Sequence, residues 1–332
     1  MIRRVLPAPS RLLPAPLRRV ITPALALAAA AGLAVAAAGC ASSPGTPGGA
    51  SPAASAGRAF PVTIAAANGR VTVERRPAAI ISLSPTATEM LYAIGAGSQV
   101  RAVDADSDYP PGAPRTKLSG LTPNIEAIVA YKPDLVVVSY DAATLAKRLA
   151  AFSVPVLDLP APPNLGGEYA EFLQLGEATG HLAQARREVA SLRAQIARIA
   201  AAAPRHSRPI TYYYELDQTY YSVTSDTFVG KLLSLLGMKS IADAAKGAAA
   251  AGGYPQLSAE YILKANPDYI ILADTICCHQ SAATVARRPG WASLTAVRTG
   301  HVIALNDDIA SRWGPRIVDL LRTVLAAIRR GR

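Results

Sequence analysis

Short apolar runs bounded by turn-forming residues alternate with segments whose apolar positions recur about every 3.6 residues, the signature of strands alternating with helices. The pattern opens with a short strand at 71–73 and a buried strand within 76–85. A helix follows that Ser84 or Thr86 caps, that carries Glu89 in its first turn near the positive dipole end, and that Gly95 or Gly97 ends. Strands are predicted again at 100–103, 134–138 and 154–159, with helices at 125–130 and 142–152 between them. Strands that alternate with helices and read as continuous apolar runs predict a parallel sheet covered on both faces.

Residues 168–203 are rich in alanine, with apolar positions at helical spacing and arginines between them, which predicts one long helix or two in line. The breaker segment 204–209 ends it, and a second strand set begins at 210–215, where Tyr212, Tyr213 and Tyr214 are expected to face the sheet core. This second set repeats the first. Residues 125–138 and 259–272 share Glu126 with Glu260, Pro133 with Pro267 and Asp134 with Asp268 at one offset, and the helical stretch 86–95 matches 228–237, each ending in glycine. The expected architecture is α/β: two Rossmann-like lobes with parallel sheets, joined by a long interlobe α-helix, with a ligand cleft between them. Its divisions are an export signal over 1–39, Cys40 and a tether over 40–59, an N-terminal lobe over 60–165, the interlobe helix over 166–204 and a C-terminal lobe over 205–332. Loops at the carboxyl ends of strands form the crevice in such sheets. They are expected at 104–111, 139–143, 215–226, 247–257, 273–282 and 306–315.

The first forty residues change the picture of where the protein works. Arg3, Arg4, Arg11, Arg18 and Arg19 precede an apolar run over 21–38 and then Gly39–Cys40, the layout of a secretory signal. Residues 41–59 are almost all Ala, Ser, Pro, Gly and Thr, too poor in apolar mass to pack, and are expected to be a flexible tether. Those five arginines account for nearly half of the formal charge of +11, so the remainder is only moderately basic. Without aromatics interleaved among its lysines and arginines, the chain is not expected to bind nucleic acid. Of the three cysteines, Cys277 and Cys278 are adjacent, and outside the cytoplasm they either close a disulfide or stay as two thiols beside His279. No metal site is expected, because no further Cys or His stands at ligand spacing.

The order and spacing of several motifs over 77–329 resemble the class III substrate-binding proteins of bacterial ABC importers, most closely the cobalamin-binding members. These are 81–85 with Thr88–Glu89, 107–110, the two Glu-to-Pro-Asp segments, 254–258, and Arg312 with Pro315–Arg316. The Ala37–Ala38–Gly39–Cys40 sequence likewise resembles a lipobox, which implies a lipid on Cys40 and anchoring to the cell membrane, although Ala37 stands where leucine is usual. The resemblance implies small lobe movements, capture of cobalamin or a related corrinoid, and delivery to the importer's membrane subunits by a chain that is a monomer when free. It implies no cofactor beyond the cargo, a cobalt corrinoid. A ferric siderophore or haem on the same scaffold is the alternative.

By the same resemblance Glu126 and Glu260, one per lobe, dock into arginines of the two membrane subunits; the plainer alternative is that each favours the start of its helix. Thirteen tyrosines against four phenylalanines, several of them in cleft loops, suit a large ligand with ring faces and amide edges. The candidate ligand residues are Tyr109, Tyr140, Tyr220, Tyr221, Tyr254, Asp308, Arg312 and Trp313. For Asp308 and Arg312 the alternative is a mutual pair that stiffens its loop. An enzyme is not expected: there is no Gly-x-Ser-x-Gly elbow, and His181, His206 and His301 fall at positions that ordinary surface placement explains.

Overall fold

A computed structural model describes residues 60–140 and 142–331. The export signal, Cys40 and the tether lie outside the described residues. The chain enters as an antiparallel hairpin, Val62–Ala66 (β1) and Gly69–Val73 (β2), turned at Asn68–Gly69, where the glycine takes φ +106°. Only its second strand is expected from the sequence pattern. The first α/β unit then runs Ile80–Ser82 (β3), Pro85–Ala93 (α1), Val100–Val103 (β4), Ile125–Val129 (α2), Leu135–Val138 (β5), Ala142–Leu149 (α3) and Val156–Asp158 (β6). Leu165–Thr179 (α4) and Leu182–Ala201 (α5) follow. The second unit comprises Ile210–Glu215 (β7), Phe228–Ser234 (α6), Met238–Ser240 (β8), Ala259–Ala265 (α7), Tyr269–Leu272 (β9), Ala282–Ala286 (α8), Thr295–Arg298 (α9) and Val302–Ala304 (β10). Asp307–Ser311 (α10) and Ile317–Arg330 (α11) close the chain.

Each unit builds one parallel four-stranded sheet, in the orders β4-β3-β5-β6 and β8-β7-β9-β10. The second order is the first repeated strand for strand. The repeated Pro-Asp pair has a specific mechanical role. Asp134, one residue ahead of β5, accepts the amides of Ala78 and Ala79 at 2.9 and 3.1 Å and pairs with Arg75 at 2.6 Å, which holds the entry to β3. Asp268, one residue ahead of β9, accepts the Thr211 amide at 2.7 Å and its hydroxyl at 2.8 Å, and takes Arg208 in a two-pronged pair at 2.7 Å. Burial alone would raise both carboxyls. The arginine and amide hydrogen bonds outweigh it, so both are held below their ordinary range, Asp268 at about 2.

Three apolar clusters fill the molecule. One face of each sheet has its own core, around Ile81, Val136 and Leu149 in the first unit and around Tyr213, Ile270 and Trp291 in the second. The other faces share a single core that runs from Ile80, Met90 and Leu91 through Leu192 and Ile196 of α5 to Tyr212, Tyr214, Ile271 and Leu321. All three strand tyrosines are fully buried, as the sequence pattern predicts.

The interlobe segment, expected as one long helix or two in line, is corrected to two helices that pack against each other. Helix α4 ends in the left-handed residue Gly180 (φ +76°), and α5 starts from His181. The two are not in line: a Cβ on Gly176 would lie 2.6 Å from the Ala185 Cβ, so small residues let the start of α5 pack against the end of α4. Helix α4 packs on β1 and α1, whereas α5 also reaches α11. His181 is also corrected from a surface position to a buried one. Arg76 donates to its Nε2 at 3.1 Å, which leaves Nδ1–H to donate to the Thr179 hydroxyl at 3.2 Å and ties the break to the entry of β3. Burial and the Arg76 charge lower its pKa and keep the ring neutral.

Asp268→Asn keeps the shape but weakens the Arg208 pair and leaves an amide facing donors. It is expected to cost about 2 kcal/mol at pH 7, roughly 4–8 °C in melting temperature. A depressed carboxyl stabilises above its unfolded pKa and loses that contribution as pH falls toward the folded one, so the gap between variant and wild type closes between about pH 4 and pH 2.

Candidate ligand-binding cleft

Five of the expected cleft loops follow the carboxyl ends of β4, β5, β7, β9 and β10, and 247–257 comes after β8 and a short helical turn; in open parallel sheets loops at those ends form the binding crevice. A buried hydroxyl network shapes the loop after β4. Thr88 of α1 bonds to Ser82 and Ser107 at 2.9 Å each, and Ser107 donates to Asp104, whose amide bonds to the Ser82 carbonyl. This holds Asp106 and Asp108 where the segment after α10 meets them.

That meeting is an ion cluster between the lobes. Arg312 donates to Glu89 and Asp108 at 3.0 Å, to Asp308 at 2.6 Å and to the Asp106 carbonyl at 2.9 Å. Arg316 grips Glu89 through Nε at 2.8 Å and Nη2 at 2.6 Å, and its guanidinium lies 4.3 Å above the Tyr109 ring. The Glu89 side chain is fully buried. It is not in the first turn of α1 as the dipole reading expects; it stands beyond that turn, where the opposing lobe supplies its partners. Burial alone would raise Asp108, but Arg312 outweighs it and holds that carboxyl below its usual range. Asp308, more buried and facing Asp108, is raised.

Beside this cluster, Trp313 donates its indole N–H to Glu171 of α4 at 2.9 Å. Glu168, one turn earlier, is buried with neither carboxyl oxygen bonded. Burial, reinforced by the charge of Glu171, pushes Glu168 up to about 9. Glu171 is pushed up to about 8, mainly by burial, with the Trp313 bond opposing the shift. Both therefore favour the protonated form at neutral pH, so Glu171 adds little charge beside Trp313.

The expected ligand residues divide. The rings of Tyr109, Tyr140, Tyr221 and Tyr254 are exposed. Tyr221 and Tyr254 lie on two extended segments joined by bonds from Ser222 to Pro255 and from Thr224 to Gly253, so they share one part of the rim. Tyr140 stands apart from them beside Leu121, Pro123 and Arg148. Tyr220 stacks on Trp291 with ring centroids 5.7 Å apart and joins the second unit's own core. Arg312 and Trp313 direct their polar atoms to protein partners, and Asp308 makes the Arg312 pair that stiffens the loop. Glu126 and Glu260 occupy the second positions of α2 and α7, both exposed. The Glu260 carboxyl is lowered by its own amide and the Ser258 hydroxyl, so it also supports its helix start.

Glu89, Asp108, Glu171 and Arg316 belong to this interlobe network and were not among the candidate ligand residues read from the sequence. Arg312 and Arg316, four apart around Pro315, were a usable signal for a shared anion, but its partner lies more than two hundred residues away.

A model of the family described as periplasmic binding protein matches residues 80–309. An uncharacterized ABC transporter substrate-binding lipoprotein, YvrC of Bacillus subtilis, is 31% identical over 78% of this chain and 83% of its own. A cobalamin-binding protein of Halobacterium salinarum is 32% identical over 78% of this chain and 72% of its own. The crystal structure of a possible iron-binding (periplasmic solute-binding) protein from Staphylococcus epidermidis superposes with a TM-score of 0.65 at 26% identity, covering 76% of this chain and 99% of that one.

The raised carboxyls set a pH dependence. A folded-state pKa above the unfolded value means the native state binds more protons between about pH 5 and pH 9, so stability falls as pH rises through that window. Glu168→Gln mimics the protonated form. It is expected to flatten the fall and to melt at least about 2–4 °C above wild type at pH 9, roughly 1 kcal/mol, in thermal scans from pH 5 to 9.5.

Proposed function

The chain belongs to the periplasmic binding protein family, and on that premise we propose that it is the substrate-binding lipoprotein of an ABC importer whose cargo is cobalamin or a related corrinoid. The family consists of binding proteins, not enzymes. The observation that carries the cargo reading is the state of the cleft arginines. Arg312 and Arg316 are engaged by Glu89, Asp108 and Asp308, so neither guanidinium is offered to an anionic chelate. A rim of exposed tyrosines remains, and it suits a ligand with broad ring faces and neutral amide edges. The cobalamin-binding name of the Halobacterium relative supports the same choice.

In this reading residues 1–39 direct export, Cys40 carries the lipid and 41–59 tether the folded body to the membrane. Glu126 and Glu260 present one anionic contact from each repeated unit to a twofold arrangement of importer subunits, where arginines pair with them. A ferric ligand is the second reading, favoured by the possible iron-binding neighbour.

Tryptophan and tyrosine fluorescence, titrated with cyanocobalamin, a ferric siderophore and haemin in parallel, tests the choice. Saturable quenching by cyanocobalamin alone is expected, with roughly tenfold weaker binding in Tyr254→Ala. Saturation only by an iron ligand would replace the cargo.

A further inference from the structure

The loop that leaves β9 carries Cys277 and Cys278, which the cargo reading leaves without a role. Cys277 is exposed and Cys278 half-buried; both are free, with their Sγ atoms 2.6 Å apart. That separation is well inside the about 3.5–4.0 Å at which even carbon atoms pack. It exceeds the covalent S–S bond of about 2.05 Å.

The backbone on either side keeps the pair in this position. Asp307, at the start of α10, accepts the amides of Ile276 and Cys277 at 3.0 and 2.8 Å and the Thr275 hydroxyl at 3.1 Å. The Asp274 carbonyl accepts the amides of Cys278 and Gln280 at 3.3 Å. Gln280 is held in turn by Arg288 at 2.7 Å, and Arg288 is locked onto buried Glu215 at 2.5 and 2.6 Å. Among the described residues no set of three or more His, Cys, Asp or Glu side chains gathers as a candidate metal site.

We propose that Cys277 and Cys278 are a redox modification site, closing a reversible disulfide within the loop by exchange with the disulfide of an extracytoplasmic thiol oxidoreductase. One cysteine, deprotonated, attacks a sulfur of the donor disulfide to give a mixed disulfide, and the donor sulfur released takes up the proton. The second cysteine, deprotonated in turn, attacks the first, and its proton goes to the second donor sulfur. Two thiols are oxidised, one disulfide is reduced to two thiols, and no other oxidant enters. The Cys277 thiol is pushed up to about 12, chiefly by its bond with Cys278, so it carries little thiolate at neutral pH and uncatalysed exchange through it is slow. Closure stiffens residues 275–279. The same Asp307 that anchors this loop precedes Asp308 and Arg312, so the stiffened loop borders the ion cluster between the lobes.

The test is independent of the cargo. The full chain is recovered from the cell envelope with acid quenching, alkylated while denatured without reductant, digested, and analysed by mass spectrometry. The peptide holding both cysteines is expected to be lighter by two hydrogens and unalkylated, and to gain two alkyl groups only after reduction. In Cys277→Ser, Cys278 is expected to alkylate without reductant. Cys40 falls in a different peptide and does not enter the reading. Alkylation of both cysteines in the unreduced wild type, or disulfides from either cysteine to another chain, would overturn the proposal.

Discussion

One buried carboxylate, Glu89, is held by two arginines from the far end of the chain, and the relation between the lobes depends on it. Taking such a carboxylate out of water is costly, and only close, multiply bonded partners offset that cost. Here the offset comes from Arg312 and Arg316, which bracket the turn between α10 and α11. Removing one side of a buried pair typically costs about 3–5 kcal/mol, because the remaining charge is left without compensation. The shared apolar core through α5 acts in the same direction, since parting the lobes would expose apolar surface on both sheets. Polar latch and apolar seam together favour a preformed cleft over one that closes widely on its ligand.

The latch also sets the chemistry of the crevice. Guanidinium groups in a cleft usually advertise an anionic ligand. In this chain they are paired with Glu89 and Asp108 from the opposite lobe and with the neighbouring Asp308, and burial favours the protonated form of Glu171 beside Trp313. Exposed on the expected cleft loops are the rings of Tyr109, Tyr221 and Tyr254, with Tyr140 standing apart from them. An aromatic surface with few free charges discriminates by shape and hydrogen bonding rather than by charge.

Much of the fold was legible in the sequence because its information is local. The repeated Glu-to-Pro-Asp segments gave the two units, and the aspartates proved to hold the strand entries in both sheets. Apolar runs located the strands, and the buried Tyr212–Tyr214 followed from their place in one. The interlobe segment was misread because alanine-rich helical composition outweighed a single Gly180, whose left-handed conformation ends α4. Glu89 was misread for another reason. A glutamate early in a helix has a local explanation in the dipole, whereas its true partners are set by how the two repeats are placed. Tyr220 likewise looks like a rim residue until its stack on Trp291 is seen.

Small-angle scattering of the wild-type chain and of Glu89→Gln, compared at matched concentration and salt, tests the latch most directly. The account predicts one compact wild-type population and a broader, larger ensemble for Glu89→Gln, with the lobes partly released while the secondary structure by circular dichroism is retained. Superimposable scattering from the two proteins would contradict it, and would assign the fixed geometry of the cleft to the apolar core alone.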